Sequence, residues 1–250
     1  GIVDGQQAWE IVPSFSGFEE WDGGSDGPDT TLTENSITYD VYWWGLDTGA
    51  AENWLDSNGN DNNGGPANDP NNAQYGGEVD VLFGDFVDDN IIIQLADNTT
   101  TNPANVTFSD KFVRNMTVTT DSEFRIDDGT LYFDEDNAGG TNGPTYLTLT
   151  NDAKLTINSD IVFYEEMAIQ QNASRELTLN GDITIDDNQD PYIRITGSGD
   201  VRIAGNISED PNSDSEIIKN GPGTLTLQGQ HNTTGTGGEF TLNEGTVVLD

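Results

Sequence analysis

Acidic side chains are the residues of this chain that could most readily do chemistry, because they are numerous and several stand side by side. The pairs Asp88-Asp89, Asp127-Asp128 and Asp186-Asp187 could supply the two carboxylates of a glycoside hydrolase, one of them with a raised pKa. However, chance pairs are expected among 45 Asp and Glu residues. Each pair also falls where the sequence predicts a turn. We therefore interpret the pairs as structural and predict no catalytic residues.

Other enzyme chemistries would need a histidine or a basic group beside the acids. The only histidine, His231, lies in Gln-His-Asn rather than in the Gly-His-Gly expected of a galacturonan hydrolase. Arg194 and Arg202 occupy equivalent outward positions of consecutive predicted strands and could present the base of a calcium-dependent lyase. Such residues more often pair with nearby acids, which is the role we expect. A polysaccharide lyase or hydrolase is retained as an alternative.

One loop carries oxygen-bearing side chains at alternate positions, the arrangement that calcium favours. These are Asp56, Asn58 and Asn60. An EF-hand would require Gly where Asp61 stands and an acid where Ala67 stands, so that motif is excluded. A calcium site of another kind is the only cofactor hypothesis that the sequence suggests.

Six Asn-x-Ser/Thr sequons are candidate glycosylation sites if the producing cell has the machinery. They begin at Asn98, Asn105, Asn115, Asn172, Asn206 and Asn232.

The charge balance excludes several classes of partner. Eight Lys and Arg residues stand against 45 Asp and Glu residues, which gives a formal net charge of -37. Such a surface repels nucleic acid and anionic membranes, because binding to either depends on basic residues. No apolar run approaches the roughly 18–20 residues of a membrane span, so membrane insertion is not expected. The absence of cysteine excludes disulfides and thiolate metal sites.

Composition and patterning divide the chain into three parts. Residues 1–36 combine scattered aromatics with a Gly/Asp-rich run and are predicted to form an irregular extension or cap. Residues 37–78 hold a first alternating strand followed by a long Asn/Asp/Gly-rich loop. Residues 79–250 form a ladder of short predicted strands that restart roughly every 6–10 residues.

The ladder predicts an all-β, right-handed parallel β-solenoid (β-helix). Hydrophobic residues make up only 33% of the chain, below the roughly 45–50% of an ordinary globular domain, so a thin core suits it better than a thick one. Many strands have an apolar–Thr/Arg–apolar form that puts two apolar residues on one face. Repeated short units of this kind indicate stacked coils rather than a sandwich or a barrel. Examples are residues 147–149, 155–157, 177–179, 183–185, 193–195, 201–203 and 225–227.

The last predicted coils resemble a known repeat family. Residues 220–229 read Asn-Gly-Pro-Gly-Thr-Leu-Thr-Leu-Gln-Gly, and residues 240–249 contain Asn-Glu-Gly-Thr-Val-Val-Leu. This pattern is similar to the autotransporter-associated β-strand repeat of secreted passenger-type β-helix proteins. Upstream, residues 21–24 (Trp-Asp-Gly-Gly), 53–54 (Asn-Trp) and 80–84 (Asp-Val-Leu-Phe-Gly) resemble the amino-terminal parts of such proteins, with an unusually long gap between the first two.

The resemblance implies an extracellular or cell-surface β-helical stalk or passenger without a single defined activity. We therefore expect a non-catalytic structural solenoid, a stalk or fibre subunit that assembles end to end or continues into a longer chain. An adhesin that binds glycans through Tyr42, Trp43, Trp44 and Trp54 is the second hypothesis. The third is the polysaccharide-active enzyme.

Overall fold

The protein is all-β throughout the part of the chain that its computed structural model describes. Those residues are 2–3, 6–7, 18–21, 30–44, 54–55, 80–84, 90–97, 107–108, 111–133, 144–164, 166–185, 191–209, 215–232 and 239–250. They contain no helix. It follows that no described helix has the length and apolar character needed to cross a membrane.

The strands are short, as expected for a chain rich in Gly, Asn and Asp. In chain order they are β1 Ile2–Val3, β2 Gln6–Gln7, β3 Phe18–Trp21, β4 Thr30–Glu34, β5 Ile37–Trp43, β6 Trp54–Leu55, β7 Asp80–Phe83, β8 Ile91–Gln94, β9 Ala96–Asp97, β10 Thr107–Phe108, β11 Lys111–Val113, β12 Asn115–Val118, β13 Glu123–Asp127, β14 Thr130–Phe133, β15 Thr145–Leu149, β16 Lys154–Ile157, β17 Asp160–Phe163, β18 Met167–Gln171, β19 Leu177–Leu179, β20 Ile183–Ile185, β21 Tyr192–Thr196, β22 Val201–Ile203, β23 Ile207–Glu209, β24 Glu216–Lys219, β25 Thr224–Leu227, β26 His231–Asn232, β27 Glu239–Leu242 and β28 Thr246–Leu249.

Three large sheets take up most of these strands. Sheet I has the order β27-β24-β21-β18-β15-β12-β7-β3-β6, sheet II the order β28-β25-β22-β19-β16-β13-β8-β5-β4, and sheet III the order β11-β14-β17-β20-β23-β26. From β12 onward the chain passes through sheets I, II and III in turn and then returns to sheet I. We call the three strands of one such circuit a rung.

Successive rungs pair in parallel and in register. In sheet II, for example, Ile126 pairs with Ile157, which pairs with Leu179. The equivalent residue lies 31 positions along from Ile126 to Ile157 and 22 from Ile157 to Leu179. The backbone hydrogen bonds therefore run from rung to rung and not within a rung.

Alternation along each strand directs one set of side chains inward. Files of equivalent inward residues fill a single continuous core, in which the side chains are almost all Leu, Ile, Val, Phe and Met. One file in sheet II runs Ile93, Ile126, Ile157, Leu179, Ile203 and Leu227, each at most 4% exposed. Thr and Arg at the alternate positions are only partly buried. The apolar-x-apolar pattern predicted this division of faces.

Two strands at the first end of the sheets lie within residues 1–36, for which an irregular extension or cap was predicted. β3 joins sheet I in parallel with β7, and β4 joins sheet II antiparallel to β5. The division into three parts stays a prediction. The sheets also run across the predicted boundary at residues 78 and 79, because β5 pairs with β8. Phe18-Glu-Glu-Trp21 has its apolar residues at the ends only, so period-2 alternation did not reveal β3.

Glycine is required at the corners where consecutive rungs touch through their backbones. A Cβ on Gly205, between sheets II and III, would lie 1.9 Å from the carbonyl oxygen of Gly181 one rung earlier. Gly221, between sheets I and II, has a φ of +101°, and a Cβ there would lie 2.6 Å from the Gly197 carbonyl oxygen. A side chain at either corner would force neighbouring rungs apart.

We predict that Gly205→Ala lowers the free energy of unfolding by about 1–3 kcal/mol or more, because the new methyl group cannot fit without displacing backbone. Urea denaturation followed by circular dichroism measures the change. Ser198→Ala is the control, since Ser198 is exposed at another corner and its loss should change stability by less than about 0.5 kcal/mol. Equal midpoints for the two variants would contradict the close contact.

Candidate functional site

A cleft of about 390 Å³ opens at the corner where sheet II passes into sheet III. Four of its eight lining residues are acidic, and a single basic residue lies among them. The lining residues are Glu34, Arg125, Asp127, Asp128, Gly129, Asn158, Ser159 and Asp160. The cleft therefore brings together the predicted pair Asp127-Asp128 and an acid of the next rung.

Arg125 organises the cleft. Its Nη1 donates to Glu34 Oε2 at 2.9 Å, and its Nε donates to Asp127 Oδ2 at 2.8 Å. The guanidinium also lies 4.8 Å from the centre of the Tyr39 ring, within the range of a cation–π contact. The hydrogen bond and the charge of Arg125 hold the pKa of Glu34 below its ordinary value.

Asp127 is the most buried acid of the cleft. Burial raises the pKa of its carboxyl above the ordinary aspartate value, although the Asn158 hydrogen bond and the Arg125 charge oppose that rise. Both carboxylate oxygens have donors, because Asn158 Nδ2 donates to Oδ1 at 2.7 Å and Arg125 donates to Oδ2. A raised pKa is the property that a general acid needs. Here, however, both oxygens are already engaged within the protein.

The neighbouring acids are engaged as well. Gln94 Nε2 donates to Asp128 Oδ2 at 3.2 Å, and the backbone N–H of Asp182 donates to Asp160 Oδ1 at 2.9 Å. Across the described ranges, no group of three or more His, Cys, Asp or Glu side chains is arranged to hold a metal ion. These contacts fasten one rung to the next.

The same fastening continues along the corner beyond the cleft. Asn180 Nδ2 donates to Asn158 Oδ1 at 2.7 Å, so amides stack in a ladder from rung to rung. Asp182 Oδ1 accepts the backbone N–H of Asn206 at 2.8 Å, and Asn206 Oδ1 accepts that of Gln230 at 2.9 Å. Asp and Asn suit these positions because a short polar side chain can satisfy a backbone donor at a turn.

Basic residues form further connections between rungs. Six of the chain's eight Lys and Arg residues form an ion pair with an earlier Asp or Glu. In five pairs the acid lies one or two rungs before the base, and in the sixth it lies on β4, the strand antiparallel to β5. The pairs are Arg114–Asp80, Arg125–Glu34, Lys154–Glu123, Arg175–Glu123, Arg194–Glu166 and Arg202–Glu176. Ion pairs near the surface contribute little each, because solvent screens them. Their consistent direction between rungs favours the observed register.

One such connection includes a tyrosine on the outer face of sheet I. The Tyr192 hydroxyl donates to Glu166 Oε2, and Arg194 Nη2 donates to the Tyr192 oxygen at 2.8 Å. The bond to Glu166 raises the pKa of the Tyr192 hydroxyl above its ordinary value. The phenol thus keeps its proton, which it donates to the Glu166 carboxylate while its oxygen accepts from the Arg194 guanidinium.

Buried polar side chains were not predicted from the sequence, and Gln171 and Lys219 are two of those in the described residues. Gln171 is fully buried and binds the carbonyl oxygens of Arg175 and Asp200 at 2.7 and 3.3 Å. Lys219 is 1% exposed and donates to the Gly221 carbonyl oxygen at 2.6 Å. Burial lowers the pKa of the Lys219 amine. Register was the missing signal, since Lys219 occupies an inward file between Ile195 and Leu242.

The basic candidates take structural positions. Arg194 and Arg202 do point outward, but they lie in sheets I and II and are not equivalent. Each pairs with a Glu one rung earlier, as expected of cations on the sheet surface. His231, predicted to be in a loop, begins β26 and pairs with Ile207 of β23.

The remaining candidates divide between described and undescribed residues. Asp56, Asn58 and Asn60, the pairs 88–89 and 186–187, and the sequons at Asn98 and Asn105 lie outside the described residues. Asn172 and Asn206 are exposed, Asn232 lies in β26, and the Asn115 amide binds both Asp80 and the Tyr146 N–H. Glycosylation at these positions stays a prediction.

Two of the four aromatic residues proposed to contact glycans are buried. Tyr42 is 6% exposed and Trp44 is fully buried, with its ring 5.9 Å from that of Phe83. Both belong to the core. The side chains of Trp43 and Trp54 lie outside the described part.

Comparison with known proteins gives no relative for this chain: no family model, no curated protein and no solved structure matches it. The resemblance to the autotransporter-associated repeat therefore stays a prediction.

We predict that Arg125→Gln raises the pKa of both Glu34 and Asp127. The Arg125 guanidinium has a lowering effect on each carboxyl pKa, although burial keeps that of Asp127 above its ordinary value. Carbon-detected NMR titration measures the two carboxyls directly. Arg202→Gln, which removes a cation elsewhere on sheet II, should leave both unchanged. An Asp127 pKa that fell in Arg125→Gln would contradict the assigned roles.

The two carboxyls also make opposite contributions to stability as pH changes. Because the folded pKa of Glu34 is lowered, its contribution is present above the ordinary glutamate pKa and is lost as pH falls through the lowered value. The raised pKa of Asp127 means that its burial costs stability at neutral pH, and protonation on acidification relieves that cost.

Proposed function

We propose that the chain is a right-handed parallel β-solenoid that serves as a non-catalytic structural rod, a stalk or fibre subunit outside the cell. The observation that carries the proposal is the regular rotation of the chain through three parallel sheets. Connections between parallel strands of one sheet are right-handed in about 98% of cases, which supports the handedness. Each rung would lengthen the rod by about 4.8 Å, the spacing of paired strands.

The use of polar groups supports a structural role. The carboxylates of the cleft, the amides of the corner and six basic side chains all bind another rung or the hairpin strand β4. A catalytic site would instead keep an acid, base or nucleophile available to substrate. In such a stack, stability is approximately a sum of interactions between neighbouring rungs, which suits an elongated element.

The charge supports an external setting for this rod. A net charge of -37 keeps like rods apart and soluble, and it is best tolerated where cations screen it. The similarity of residues 220–249 to a repeat of secreted passengers points to the same location.

The last rung offers an edge where another rung can add. β27 and β28 are outermost in sheets I and II, and each pairs with a neighbour on one side. Phe240, Leu242 and Leu249 continue inward files of the core, yet they are 44, 49 and 77% exposed. Such an edge favours strand addition by a second copy or by the continuation of a longer chain.

We predict that the protein releases no product from neutral or acidic polysaccharides, with or without Ca²⁺, because the acids of the cleft are committed to structural contacts. Reducing-end and 232 nm absorbance assays measure hydrolysis and elimination. Electron microscopy of the protein assembled at 1 M NaCl should show elongated particles. Turnover that is lost in Asp127→Asn would favour the enzyme alternative, and round particles would contradict the rod.

We predict that particles grow with concentration at 1 M NaCl, where charge repulsion is screened to a length of about 3 Å. Leu249→Lys should weaken this association at least 10-fold, because it places a charge in the exposed continuation of a core file. Val248→Lys is the matched control, since Val248 pairs with the outward Thr226. Sedimentation velocity measures both. Wild-type protein that stays monomeric under these conditions would contradict self-assembly.

A further inference from the structure

The opposite end of sheet II has a different construction. β4 and β5 form an antiparallel hairpin, and β4 is the outermost described strand of the sheet. The turn contains Asn35 and Ser36, both with positive φ, at 51° and 71°. Two such residues give a tight hairpin whose twist matches its strands. The run of parallel strands thus ends in a strand of reversed direction.

The core does not hold the tip of this hairpin. Residues 31–38 are all exposed, including Leu32 at 36% and Ile37 at 44%. An isolated two-stranded hairpin is only marginally stable in water. β5 pairs with β8 from Asp40 to Trp43, but that pairing stops short of the tip, so the tip needs another contact.

Arg125 of β13 supplies that contact from a strand that is not adjacent to the hairpin. Between β13 and β4 the sheet order places β8 and β5. Arg125 nevertheless binds Glu34 near the tip and lies over the Tyr39 ring. Its second bond, to Asp127 of its own strand, fixes the direction of the guanidinium.

A small apolar site lies on the same face. Register places Val41, Ile92 and Arg125 side by side across β5, β8 and β13. Val41 is 1% exposed and Ile92 fully buried, although both lie outside the main core cluster. By alternation Tyr39 is on the same face as Val41. The hairpin is therefore seated over an apolar patch as well as by an ion pair.

We propose that the β4–β5 hairpin is a strap that closes the first end of sheet II against strand addition, and that Arg125 is the residue that seats it. The edge of β5 is occupied by β4, whose antiparallel direction and exposed Glu34 oppose the docking of a further parallel rung. Covering an edge in this way is how sheet proteins avoid unwanted pairing. The inference rests on the proposed rod and adds that the hairpin end of sheet II does not accept a further rung.

The test compares variants of the otherwise unchanged chain, because the edge at β27 and β28 of another copy is the one that an opened β5 edge would accept. In Arg125→Gln, hydrogen exchange of peptides spanning residues 30–43 should accelerate about 10-fold or more. The same variant should form larger particles than the wild type with increasing concentration at 1 M NaCl, because copies can then add end to end. Glu34→Gln should shift both measurements in the same direction. Because the Glu34 side chain is 44% exposed, this substitution leaves folding intact even if Arg125→Gln does not.

Arg202→Gln is the matched control. Arg202 lies on the same outward face of sheet II and binds Glu176 at 2.8 Å, but it does not contact the hairpin. Its removal should leave exchange over residues 30–43 and association unchanged. Unchanged exchange in Arg125→Gln and Glu34→Gln would overturn the strap, and so would faster exchange without particles larger than those of the wild type. If wild-type assemblies at 1 M NaCl are elongated, either result overturns the strap alone. Compact wild-type assemblies would overturn the rod and the strap together.

Discussion

The structure depends on parallel pairing between equivalent residues of successive rungs. The strands of sheet III and of the later part of sheets I and II are two to five residues long. A strand of this length is not stable without pairing to strands of other rungs. Its N–H and C=O groups find their partners one rung away, and its apolar side chains extend files begun by earlier rungs. Register is therefore the quantity that other features must protect, because a shift by one residue would turn every inward side chain outward.

Polar and small residues protect that register at the corners. Carboxylates and amides accept backbone N–H groups from the following rung, as Asp182 does from Asn206. Glycine allows backbones to approach where a Cβ would overlap a carbonyl oxygen, as at Gly205. The abundance of Asp, Asn and Gly in this chain thus has a mechanical basis in the turns. The acidity of the surface is partly a by-product of the same requirement.

Sequence reasoning recovered the inner faces of the sheets, because apolar-x-apolar triplets such as 155–157 have a period that only strands produce. It could not assign strands to sheets, since all three sheets use the same pattern, and it therefore treated Arg194 and Arg202 as equivalent. It missed β3 and β4 because their sequences lack sustained alternation. The cleft around Arg125 joins residues 91 positions apart through Glu34, and no local pattern contains that information.

The connections between sheets differ in length. Passages from sheet I to II and from sheet II to III stay short in every rung from β12 onward, whereas those from sheet III back to I range from the three residues 164–166 to the eleven residues 134–144. Both lengths leave the pairing of the flanking strands in register. From β12 onward, the large differences in length are thus confined to the connection from sheet III back to sheet I. Before β12, the connection from β8 of sheet II to β11 of sheet III holds the sixteen residues 95–110, including β9 and β10. Two edges of the stack therefore accept extra chain without loss of register, and a recognition surface can accumulate along either.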